Sequence, residues 1–245
     1  MTRREVVRSF AVAGGAFATG CLPGLPGPDA KSPRLSARAG QPSASGTTGK
    51  SRHNMGKTEG VIYVPPQVTQ QTAAPLMVFL HGAGGTVDPI IDAFIPAADA
   101  HGVILLAPFS DGETWDALFD VFGPDPARID SALRWTFERW RIDPARIALT
   151  GFSDGASYAL GIGRANGDLF SRLAAFSPGS LLNVDAIGRP KVFITHGTLD
   201  PVLSIELSRA IVPALRGFGY EVDFREFNGV HAIPIATASE FIASL

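Results

Sequence analysis

Ten residues, Ile147-Ala148-Leu149-Thr150-Gly151-Phe152-Ser153-Asp154-Gly155-Ala156, restrict this chain more than any other stretch. An apolar run enters Gly-x-Ser-x-Gly, and a small-residue segment with helical character follows. The order reads as a strand, a very tight turn and a helix. In such a turn a Cβ at either glycine position would meet the neighbouring strand or helix. The serine is lifted above the sheet edge, beside the free N–H groups of a helix N-terminus. That placement suits a nucleophile. The other reading is a glycine-rich turn whose serine only caps the helix.

The rest of the chain alternates in the same way. Continuous apolar runs at Leu76–Leu80, Gly102–Ala107, Ile147–Thr150, Leu173–Ser177 and Val192–Thr195 are strands of the kind buried on both faces. Gly60–Val64 is a shorter run stopped by Pro65-Pro66, and Val222–Phe227 alternates like an edge strand. Helical segments lie between them over 88–100, from 125, near 205–215 and from about 234. Asp125-Pro126 predicts an N-cap with proline at the first helical position. Ile129, Leu133, Phe137 and Trp140 then form one apolar face. Strand and helix alternation predicts a doubly wound, mostly parallel α/β sheet, with ligands at the carboxyl ends of the strands.

A serine needs a base within reach and a carboxylate to orient that base. The chain has five histidines. His53 reads as a linker residue and His101 as a solvated residue after a helix. His81 and His196 each end a strand and precede glycine, so both read as loop-shaping residues. His231, in Phe227-Asn228-Gly229-Val230-His231, follows the last strand and precedes the last helix, where a base can reach over the serine. Asp200 in His196-Gly197-Thr198-Leu199-Asp200-Pro201-Val202 follows a buried strand and completes the chain order Ser…Asp…His. Asp-Pro is also a good helix cap, and Asp111 and Asp116 on an earlier loop are the substitute acids.

An oxyanion hole needs two preorganised N–H donors. The residue after the serine, Asp154, supplies one. The loop His81-Gly82-Ala83-Gly84-Gly85 supplies the other, from Ala83 or, failing that, Gly84. A plain strand-to-helix turn or a phosphate cradle would also use such glycines, but no Gly-Lys-Ser/Thr signature accompanies them. Phe109, Trp115 and Phe152 are candidates for lining the pocket, or for rim packing.

The motifs His81-Gly82-Ala83-Gly84-Gly85, Gly151-Phe152-Ser153-Asp154-Gly155, His196-Gly197-Thr198-Leu199-Asp200-Pro201-Val202 and Gly229-Val230-His231 resemble those of α/β-hydrolases. The nearest branch is the phospholipase/carboxylesterase-like serine esterases, close to the feruloyl-esterase and polyhydroxybutyrate-depolymerase group. The resemblance covers roughly residues 58–245. It implies carboxylic-ester hydrolysis through an acyl-enzyme, with Ser153 as nucleophile, His231 as base, Asp200 as orienting acid and backbone of Ala83 and Asp154 in the hole. Where that branch often has a second glycine before the histidine and an acid after it, this chain has Val230 and Ala232. No metal or cofactor is implied. The substrate would be a small-molecule or polymer-borne ester, and a monomer suffices. Short connections suggest an open site without a large lid. A lipase, phospholipase or thioesterase would use the same residues. A surface-binding lipoprotein without activity is the rival of a different class.

The N-terminus reads as an address. Arg3-Arg4, a short apolar stretch from Phe10 to Phe17 and Ala18-Thr19-Gly20-Cys21 describe an export signal of twin-arginine type over 1–20. They end in a lipobox-like site, with Cys21 the candidate lipidation residue and Ala18 where a leucine is usual. This predicts an exported, envelope-anchored lipoprotein, or otherwise a periplasmic or secreted protein. Residues 21–57, rich in Pro, Gly and Ser, read as a flexible tether. A net charge of −2 with scattered Lys and Arg gives no footprint for nucleic acid.

Overall fold

The computed structural model describes residues 32–118 and 121–245. The predicted export signal and Cys21 therefore lie outside the described residues.

Eight strands form one sheet: β1 Gly49–Asn54, β2 Glu59–Val64, β3 Ala74–Leu80, β4 Ile104–Pro108, β5 Ile142–Phe152, β6 Arg172–Phe176, β7 Lys191–Gly197 and β8 Val222–Phe227. Their order is β1-β2-β4-β3-β5-β6-β7-β8. β3 to β8 run parallel, whereas β2 is antiparallel to both β1 and β4. Among the described residues five α-helices alternate with the strands: α1 Asp88–His101, α2 Asp125–Arg139, α3 Asp154–Ala165, α4 Glu206–Gly217 and α5 Ile235–Ala243.

The parallel strands are apolar on both faces because both faces are covered. Leu76, Val78, Leu80, Leu149 and Ile194 pack with α2, α3 and α4 on one side. Met77, Phe79, Leu105, Ala148 and Phe193 pack with α1 and α5 on the other. Among the described residues, no helix is long and apolar enough to cross a membrane.

The predicted tether is corrected from residue 32 onward, and the folded domain begins well before residue 58. Residues 32–48 form an extended strap. Leu35 and Ala37, two residues apart, are both 2% exposed and join the α2–α3 core. Their polar neighbours face α2: the Ser36 and Ala37 N–H groups donate to Asp130 Oδ1, both at 2.7 Å, and the Ser36 hydroxyl to Oδ2 at 2.8 Å. At the far end of α3, Asn166 accepts from Leu35 N–H at 2.8 Å and donates to Pro33 O at 3.0 Å. The strap leads into β1, which has no apolar side chain and is held to β2 by its backbone. His53, read as a linker residue, lies in this strand, its ring 4.7 Å from that of Trp135.

Candidate active site

All the chemistry-bearing residues gather at the carboxyl ends of β3, β5, β7 and β8. The β5–α3 turn is as tight as its glycines require. A Cβ at Gly151 would lie 2.2 Å from the Gly155 carbonyl oxygen, and one at Gly155 would lie 2.1 Å from Leu80 O. Between them Ser153 takes φ 56° and ψ −119°, a conformation that costs a non-glycine residue on the order of 1–3 kcal/mol. Although Ser153 occupies the N-cap of α3, its side chain makes no capping bond. Its hydroxyl instead donates to His231 Nε2 at 2.9 Å.

His231 Nδ1–H donates in turn to Asp200 Oδ2 at 2.6 Å. The other carboxylate oxygen, Oδ1, accepts the Val202 and Leu203 N–H groups at 2.8 and 2.9 Å. Asp200 does not cap the helix that follows, since the N-cap of α4 is Ile205; one carboxylate oxygen holds the local turn and the other meets His231. Its side chain is wholly buried while that of His231 is 14% exposed. Burial works to raise the carboxyl pKa. The Leu203 N–H, the His231 imidazole and the Val202 N–H outweigh burial and hold it below the ordinary value. The loops carrying acid and base pass very close, since a Cβ at Gly197 would lie 2.4 Å from Gly229 O. The Phe152 ring packs 4.7 Å from that of His231 and covers its flank.

The two substitute acids are occupied elsewhere. Asp111 pairs with Arg128 at 3.1 Å. Asp116 accepts the Tyr158 hydroxyl at 2.9 Å and the Gly123 and Asp125 N–H groups. Neither meets His231.

The choice between Ala83 and Gly84 is made by the neighbouring loop. Gly84 N–H donates to Glu113 O at 2.8 Å and Gly85 N–H to Gly82 O at 3.2 Å. Among the described residues, neither Ala83 N–H nor Asp154 N–H donates to a protein acceptor, and Ala83 is exposed. His81 shapes this loop as expected. Its ring meets Gly82 O through Nδ1 at 2.8 Å, and Nε2 accepts the Ser110 N–H at 3.1 Å. Burial is the main force on it and lowers its pKa, so the ring is held neutral. Gly82 O and Ala83 N–H belong to one planar trans peptide and point opposite ways, so a donor fixing the oxygen also aims the N–H.

A cavity of about 530 Å³ opens beside Ala83 and Asp154. Its walls come from the β4–α2 segment, including Leu118, and from Gly179, Ser180 and Leu203. It is rich in carboxylates: Asp111, Glu113, Asp116, Asp125 and Asp154 line it. The predicted N-cap role of Asp125 is corrected here. Asp125 is the first residue of α2, and its buried carboxylate accepts the Asp111 and Asp116 N–H groups at 2.7 and 2.9 Å. Those bonds fold the cavity wall instead of capping the helix.

The three aromatic candidates separate. Phe152 sits beside His231. Phe109 lines a smaller recess of about 260 Å³ with His81, Gly85 and Ser110. Trp115 is fully buried, donates through its indole N–H to His81 O at 2.8 Å and stacks on Tyr158. It supports the loop and has no surface to offer a substrate. Among the described residues, no cluster of His, Cys, Asp and Glu could hold a metal ion.

Against solved structures, the chain superposes on esterase PE8 with a TM-score of 0.62 at 23% identity, covering 76% of this chain and 98% of that one. It superposes on Est1E from Butyrivibrio proteoclasticus with a TM-score of 0.60 at 16% identity, covering 80% and 97%. This is the α/β-hydrolase fold. Within it, residues 128–244 match the Phospholipase/Carboxylesterase family model. An acetylxylan esterase from Coprinopsis cinerea is 29% identical over 128 residues, 47% of this chain and 33% of that protein. Feruloyl esterase B from Talaromyces stipitatus is 28% identical over 134 residues, 51% of this chain and 37% of that protein. The matches thus span about a third of the length of these curated relatives. Ser153, Asp200 and His231 meet at the carboxyl edge of this sheet.

Proposed function

We propose that the chain is a serine carboxylesterase, with Ser153 as nucleophile, His231 as general base and Asp200 as the acid that orients it. One observation carries the reading: an unbroken line of hydrogen bonds from Ser153 Oγ through His231 to Asp200, beside two unspent backbone N–H groups. His231 Nε2 takes the hydroxyl proton as Oγ attacks the ester carbonyl carbon. The oxyanion is received by the Ala83 and Asp154 N–H groups. His231 then gives its proton to the departing alcohol. Water enters, loses a proton to His231 and releases the acid, and the proton returns to Ser153.

The substrate is a small or polymer-borne ester. The likeness to an acetylxylan esterase and a feruloyl esterase supports this class, and so does a cavity open to solvent. Acidic residues on that wall, Glu113 and Asp154 among them, disfavour the phosphate group of a phospholipid. A thioester makes no such demand and stays within the same chemistry. A single copy carries all three reacting residues, so the working unit is a monomer. For location, the twin arginines and Cys21 support export and attachment through a lipid at Cys21.

The test is labelling with a fluorophosphonate probe and turnover of p-nitrophenyl acetate. Ser153→Ala should lose the label and about four to six orders of magnitude in turnover. Retained turnover in that variant sinks the assignment, and a wild-type protein that neither labels nor turns over points to a binding module.

A further inference from the structure

His196 ends β7 four residues before Asp200, and its side chain is completely buried. Its ring is held at both nitrogens. Nε2 lies 2.8 Å from Leu203 O and 3.2 Å from Asp200 Oδ2. Both are acceptors without a proton to give, so Nε2 carries the hydrogen. Nδ1 lies 2.7 Å from the buried Ser208 hydroxyl on α4, which donates to it. The tautomer is therefore set by its surroundings.

The consequence lies one residue further on. Leu203, whose carbonyl takes the His196 proton, turns its own N–H to Asp200 Oδ1 at 2.9 Å. The imidazole thus reaches the carboxylate twice: through Leu203 to one oxygen, and by its N–H edge to the other, which also receives His231 at 2.6 Å.

We propose that His196 is a positioning residue for this reaction, a second imidazole that steadies Asp200 and limits how strongly Asp200 draws a proton onto His231. This rests on the assignment of Asp200 and His231 above. A buried carboxylate that loses a neighbouring N–H dipole and a firmly held backbone donor holds its negative charge at greater cost. The Asp200–His231 pair then binds a proton more avidly, whichever of the two carries it. The charged groups facing His196 from its neighbours are few. Asp200 is on its own loop and His231 lies beyond β8. Glu226 on β8 is opposite it in register, and that carboxylate is paired with Arg209 of α4, which also holds Glu206. The last three form one exposed cluster in which a single arginine is shared by two carboxylates.

The two amide residues divide the imidazole between them. A glutamine amide nitrogen overlays Nε2 as a donor, and an asparagine carboxamide oxygen overlays Nδ1 as an acceptor. His196→Gln keeps a donor on Leu203 O and near Asp200, whereas His196→Asn keeps only the contact with Ser208. The measurement is the pH profile of kcat/KM for p-nitrophenyl acetate. His196→Asn should move the acid limb to higher pH by about half a unit to one unit, with KM nearly unchanged. His196→Gln should leave the limb within about 0.2 unit of wild type. An unmoved limb in the asparagine variant overturns the proposal, as does an equal shift in both. A 15N spectrum of the unaltered protein gives a reading that needs no variant: His196 protonated at Nε2 supports the proposal and protonation at Nδ1 overturns it. Failure of Ser153→Ala to abolish turnover would instead remove the esterase reading itself.

Discussion

The strap of residues 32–48 and the carboxyl edge of the sheet are built on opposite terms. The strap has two buried apolar side chains, Leu35 and Ala37, and its hold on the domain is otherwise polar, through Asp130, Asn166 and Asp168. The edge has a strained serine, a buried carboxylate and unspent N–H groups resting on strands whose central members are largely buried. One region adds stability without chemistry, and the other spends stability on chemistry. The difference teaches where each kind of substitution should register.

The sharpest way to break the contrast is at the base. His231→Ala should cut turnover by about four to six orders of magnitude while leaving the melting temperature within a few degrees. Steady-state kinetics and calorimetry on the same preparation check it, and a large loss of stability would show that the edge also holds the fold together. Ala83→Pro comes next, because it removes one N–H and nothing else from the proposed hole. It should lower kcat by about 10²–10³-fold with little change in KM. Gly84, already bonded to Glu113, offers no donor to replace it.

On the strap the expectation reverses. Leu35→Ala opens a cavity between α2 and α3 and should cost about 2–4 kcal/mol in urea unfolding, with kcat unchanged in the folded fraction. The smallest effect concerns Asp130. Burial tends to raise its carboxyl pKa, but the Ala37 N–H, the Ser36 hydroxyl, Arg134 and the Ser36 N–H together hold it below the ordinary 3.8. A depressed pKa contributes stability above 3.8, and that contribution is lost as pH falls below it. Asp130→Ala should therefore be less stable than wild type by about 1–2 kcal/mol at neutral pH, and the gap should close as pH falls toward about 2. A gap that does not change with pH would mean that the charge of Asp130 contributes nothing to holding the strap.

Much of the edge could be read from residues because its demands are local. An apolar strand followed by Gly-x-Ser-x-Gly has few other uses, and with only five histidines the loop after the last strand stood out. The strap left no comparable signal. Leu35 and Ala37 are a single pair with period two among Pro, Ser, Arg and Gly, and that pattern is indistinguishable from a linker until α2 and α3 supply partners. β1 was hidden for a related reason: an edge strand held by its backbone needs no apolar side chains. The cavity walls belong to the same class. Asp125 read as a cap because Asp-Pro commonly is one, and only the folded β4–α2 segment brings the Asp111 and Asp116 N–H groups to it.

The docked strap also fixes a distance and a direction. α3 starts at Ser153 on the carboxyl edge and ends at Asn166, and Pro33 is bonded to Asn166, so the chain joins the domain on the side away from the reacting groups. Were a lipid attached at Cys21, only residues 22–32 would separate it from that point. Eleven residues span at most about 40 Å even when fully drawn out. An anchored molecule would then be kept close to its membrane with the carboxyl edge of the sheet turned outward, on a leash less than a third as long as 21–57 suggests.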